Sequence, residues 1–198
     1  MKNIVLATAL VFAGTTAMAA DFESNEFVVT AQSGQFELSL GTVDGDLNTV
    51  STTAVGVAAY SMGRFDTSID LGLTYGRLDD TLGVAATYNL STAINPVLSV
   101  YGSAELAYVA PTADLGAGDV FATPTLGAAY TVTDGVTAFG EVSYGWNASE
   151  DWARQGGALE VGADFFVTEK ITLTPSVVHT FDTASDATNL KLEAALRF

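Results

Sequence analysis

Cysteine is absent, histidine occurs once, and only seven of the 198 residues are basic. Without a thiol there is neither a disulfide framework nor a thiolate metal site. Against the seven bases stand 23 acidic residues, giving a net charge of −16. Such a chain has no electrostatic reason to bind nucleic acid or anionic lipid headgroups. Long apolar runs are missing too. The one candidate, residues 4–13, is roughly half of the 20 or so residues a membrane helix requires. Yet charged residues make up only 15% of the chain and mean hydropathy is positive. Two outlets remain: a soluble β-domain with a large core, or a membrane protein that crosses with strands.

That short apolar run sits in a secretory signal. Lys2 supplies the positive start, and Gly14-Thr15-Thr16-Ala17-Met18-Ala19 leads to a small-residue cleavage site after Ala19 or Ala20. Lys2 leaves with the leader, which carries no acid, so the mature chain is still more acidic. The reading places residues 1–20 in the leader, 21–34 in a short N-terminal periplasmic segment, and 35–198 in a single β-domain.

The dominant pattern has period two. The chain ends on Leu190, Leu192, Ala194, Leu196 and Phe198, alternating with Lys191, Glu193, Ala195 and Arg197. A strand turns its side chains to opposite faces at each step, so one face is apolar and the other charged. The same alternation covers Phe36–Leu40, Phe65–Tyr75 and Leu82–Leu90, and less cleanly Thr53–Tyr60. It continues through Leu98–Ala110, Phe121–Val132, Val136–Asn147, Leu159–Val167 and Ile171–Phe181. These ten segments mostly run about 9–13 residues, the length of tilted spanning strands, longer than the usual 5–6 of soluble sheets. Pro175 interrupts one of them and predicts a bulge or local distortion there.

Connection lengths alternate. Thr168–Lys170, Thr133–Gly135 and Ser61–Arg64 read as tight turns, whereas Ala148–Gly156, Pro111–Asp119 and Asp44–Thr52 read as long loops. Arg77–Asp80 is short and breaks the rhythm. Aromatics fall in two tiers on the apolar rows: Tyr75, Tyr108, Tyr144, Trp146 and Phe181 near the long loops, and Phe36, Phe65, Tyr88, Tyr130, Phe165 and Phe198 near the tight turns. Two aromatic girdles around an apolar band match the two headgroup layers of a bilayer. The reading is an all-β, closed antiparallel transmembrane β-barrel of ten strands, both termini at the tight-turn end.

On these features the chain resembles small Gram-negative outer-membrane β-barrel proteins: the leader ending Ala17-Met18-Ala19-Ala20, alternating strands throughout, and the closing Leu196-Arg197-Phe198. Its composition is similar to that of porin-like proteins of alphaproteobacteria. OmpA-like and OmpX-like members have eight strands, which is the alternative count. The resemblance implies integral placement in the cell outer membrane among its lipids. It also implies recognition of Phe198 by the barrel-assembly machinery, with periplasmic chaperones during biogenesis.

Catalytic signals are thin. His179 falls on the apolar row with no partner constellation, and no cofactor motif is present. Asp44-x-Asp46 and Asp79-Asp80 read as solvated loop charges. The reading is therefore a non-enzyme. Parity places Asp66, Asp70, Glu105, Glu141, Glu160, Asp164 and Glu193 inside, with Lys191 and Arg197. Carboxylates in a dry interior are costly, so these must be wet, paired or protonated. Either Lys191 and Arg197 pair with Glu160, Asp164 or Glu193 in a closed network, with a structural or limited passive-diffusion role, or the excess acid lines a narrow cation-preferring porin. A binding or enzymatic role at the outer loops is the remaining alternative, with Trp152 as a contact in its polar loop.

Overall fold

The computed structural model describes residues 24–77, 79–183 and 186–198; the expected leader lies outside the described residues. Among them, eleven strands close into one barrel. They are β1 (Ser24–Ser33), β2 (Phe36–Val43), β3 (Asp46–Met62), β4 (Phe65–Gly76), β5 (Thr81–Asn95) and β6 (Leu98–Pro111). β7 (Asp119–Thr133), β8 (Val136–Asn147), β9 (Ala153–Thr168), β10 (Ile171–Phe181) and β11 (Ala187–Arg197) complete it.

The count corrects both the ten-strand and the eight-strand expectation. The additional strand, β1, comes from the stretch assigned to the periplasmic segment 21–34. Each strand pairs antiparallel with the next, and the barrel closes by parallel pairing of β1 with β11, Ser24 opposite Asn189 and Gln32 opposite Arg197. An odd number of up-and-down strands forces the first and last to run the same way. Ser24 and Phe198 consequently lie at opposite rims, which corrects the expectation of termini on one side. Phe198 donates its backbone N–H to the Gln32 carbonyl at 2.9 Å.

At the rim where Phe198 ends, all five connections are two residues long: 34–35, 63–64, 96–97, 134–135 and 169–170. At the other rim they are 44–45, 77–80, 112–118, 148–152 and 182–186. The expected long loop Asp44–Thr52 is not there. Asp44 and Gly45 both have positive φ, 49° and 90°, as the tightest hairpin turn requires, and β3 starts at once.

Over most strands the two faces separate, whereas along the β1–β11 seam the apolar row of Phe27, Leu190, Ala194 and Leu196 is buried. Outer positions carry Phe36, Leu38, Leu71, Leu73, Val84, Leu106, Leu126, Val142, Leu159 and Val161, all exposed. No large side chain among the described residues is fully buried. A soluble sandwich would put such residues in a core. Here the Leu and Val rows point outward and the polar rows inward.

Pro175 keeps its pairing with Leu192 on β11 and leaves a gap in the β9 ladder between Leu173–Phe165 and Ser176–Gly162, with no change of register. Pro124 does the same between β7 and β8. The distortion is a missing rung rather than a bulge. The pronounced bulge lies in β3, where residues 55–57 oppose the single residue Asp70 of β4. Gly56, at φ +62°, turns its N–H to Asp70 Oδ1 at 2.6 Å.

Candidate functional site

The interior is built by register. Tyr101 on β6 pairs with Gly127 on β7, Gly127 with Glu141 on β8, and Glu141 with Glu160 on β9. Because position 127 has no side chain, the Tyr101 ring lies across it; a Cβ there would overlap the ring. The phenol reaches over β7 and donates to Glu141 Oε2 at 3.0 Å. Phe139 lies across Gly162 in a similar way.

Glu141 and Glu160 form a directly opposed like-charge pair, an arrangement that normally destabilises a sheet. Each has its own donor. Glu160 accepts from Ser176 Oγ at 2.7 Å and faces Lys191 Nζ at 3.6 Å.

Six further interior acids follow one rule: a neutral hydroxyl or N–H holds each carboxylate. Thr174 donates to Asp164 at 2.7 Å, Thr87 to Glu105 at 3.3 Å, Thr30 to Glu193 at 3.3 Å, and Ser61 to Asp66 at 2.8 Å. Asn89 donates to Asp70 Oδ2 at 2.8 Å, opposite the Gly56 N–H. Ser39 donates to Glu37 at 3.5 Å. None of these carboxylates is buried, and all but the exposed Asp66 are half-buried. They are oriented and only partly covered, and among the described residues none of the six is within ion-pair distance of a base.

The expected ion network forms only in part. Lys191 meets Glu160, but among the described residues no carboxylate comes within ion-pair distance of Arg197. Parity also adds Glu26 and Glu37 to the seven expected acids. Tyr101, Phe139 and Phe166 went unremarked in the sequence, although Tyr101 shares its parity with Glu105, Phe139 with Glu141, and Phe166 with Asp164.

Part of this set lines a cavity of about 460 Å³ in the tight-turn half of the barrel. Its acidic wall is Glu141, Glu160 and Asp164; Lys191, Glu193 and Arg197 project from β11, and Tyr101, Phe139 and Phe166 contribute rings. The volume is that of a small-molecule site.

Other candidates lie elsewhere. His179 is exposed on the outer row, its Nδ1 3.0 Å from Thr188 Oγ1. Asp182, its neighbour in sequence, instead accepts from the Tyr144 phenol. Trp152 is 60% exposed in the 148–152 loop. That loop is pinned by Asn147 Oδ1, which accepts from Ser149 N–H, and by Ser149 Oγ, which accepts from Val120 N–H, both at 2.9 Å. Among the described residues, no cluster of three or more metal-ligating side chains is assembled.

Solved structures similar to this chain include two outer-membrane barrels. A NanC porin superposes with a TM-score of 0.67 at 9% identity, covering 88% of this chain and 97% of that one. The outer membrane channel DcaP of Acinetobacter baumannii gives a TM-score of 0.42 at 15% identity, covering 82% of this chain and 59% of that one. The NanC likeness is one of fold. No family model matches the sequence, and no curated protein sequence does.

Proposed function

We propose that the chain is an integral outer-membrane barrel that lets small solutes diffuse passively and prefers cations. The observation that carries this reading is the set of interior carboxylates held by neutral donors. Hydroxyls orient the charges and leave them negative, so the lumen attracts mobile cations. The belt of exposed Leu and Val supports membrane placement, because soluble monomers rarely expose a contiguous apolar surface of that extent. Aromatic residues bound the belt at both ends. Tyr75, Tyr108 and Tyr144 also bond to residues of the long-loop rim, to Asp80 at 3.1 Å, to the Leu115 carbonyl at 2.5 Å and to Asp182.

In this reading residues 1–20 are the leader, the two-residue turns face the periplasm and the longer loops face outward. Phe198 engages the barrel-assembly machinery, chaperones escort the chain, and Trp152 is a contact offered by an outer loop. No catalytic step is assigned. Channel recording of the refolded protein in a planar lipid bilayer tests the reading. Discrete conductance steps support it. Their absence overturns the pore and leaves a structural role, which the rings of Tyr101, Phe139 and Phe166 in the interior would favour.

A further inference from the structure

The geometry points to a more specific ligand for the interior cavity: a small basic amino acid, carrying both an α-carboxylate and a side-chain cation. The inference rests on the proposed passage. Its starting observation is Arg197, which lines both the main cavity and a smaller recess of about 380 Å³ at the tight-turn mouth, beside Gln32, Gly34 and Phe198. Its guanidinium is exposed, and no described carboxylate is within ion-pair reach, although Glu37 and Glu193 lie in the same region. A planar guanidinium is suited to bidentate capture of a carboxylate.

A simple anion would be repelled by the surrounding acids, so a carboxylate must arrive with positive charge of its own. The opposed pair Glu141 and Glu160, with Asp164 beside them, receives that charge. Lys191 already engages Glu160, which leaves Glu141 and Asp164 for the ligand. The ligand then lies with its ammonium in the cavity and its carboxylate at the mouth on Arg197. That ammonium is the side-chain one; the α-ammonium stays beside the carboxylate at the mouth, in the region of Glu37 and Glu193.

The test compares lysine, lysine methyl ester and cadaverine on the wild-type protein in detergent. Equilibrium dialysis measures binding, and the bilayer measures current block. Lysine should bind about tenfold more tightly than the ester or the diamine, the worth of one charge-assisted pair. Arg197→Gln should bring lysine down to the level of cadaverine, and Asp164→Asn should weaken both. Equal binding of all three compounds by the wild-type protein overturns the inference without recourse to a variant. Conductance without discrimination would sink the ligand and keep the pore. Discriminating binding without conductance would keep the ligand and sink the pore.

Discussion

Glu141 and Glu160 face each other as one cross-strand pair, and Tyr101 and Ser176 hold them from opposite sides. A sheet selected for stability alone would avoid this juxtaposition. Removing one charge should therefore strengthen the barrel while weakening its function. Glu141→Gln is expected to raise unfolding stability in urea by about 0.2–1 kcal/mol, the range for such pairs. The same variant should reduce cation preference in the bilayer. A loss of stability would mean the pair is not repulsive.

The Tyr101 bridge depends on an empty position 127. Gly127→Ala should push the ring off Glu141 and cost about 1–3 kcal/mol, as overpacking does. Gly135→Ala is the control, since a Cβ at that turn meets nothing within 4 Å. Urea titrations of the two refolded variants make the comparison.

Gly56 is required for a different reason. At φ +62° it holds the β3 bulge whose N–H meets Asp70. Gly56→Ala keeps the N–H but strains the backbone by about 1–2 kcal/mol. A stability loss of that order is expected, again by urea titration.

The parallel seam is the feature least anticipated by the alternation. Val29 and Ala194 are paired across β1 and β11. The chain has no native cysteine, so Val29→Cys combined with Ala194→Cys can form only that disulfide within one molecule. Oxidation should join the two strands, detected as a gel shift reversed by reductant. A ten-strand barrel closed by β2 on β11 would leave the thiols free.

Much of this architecture is legible locally. Alternation assigns the inner and outer rows because side-chain parity is a property of each strand alone, and the exposed rows around Leu71 and Leu126 follow it. What local pattern cannot carry is pairing. β1 is faint in the local pattern because Val28 sits among its inward residues and blurs the alternation of Phe27, Val29 and Ala31. One of its two partners, β11, lies at the far end of the chain. The alternation after Asp44–Gly45 is weak, so residues 44–52 read as a loop where the structure has a two-residue turn and the start of β3. The donors to the acids were hidden for the same reason as β1. Thr174 meets Asp164, and Thr87 meets Glu105, only through the register between strands.

The most direct measurement of the central claim is the reversal potential of the reconstituted barrel across a potassium chloride gradient. Uncompensated carboxylates along the lumen predict a potential displaced toward the potassium equilibrium value, with a smaller displacement in Glu141→Gln and Asp164→Asn. A displacement toward the chloride value, or one that these substitutions leave unchanged, would contradict the account.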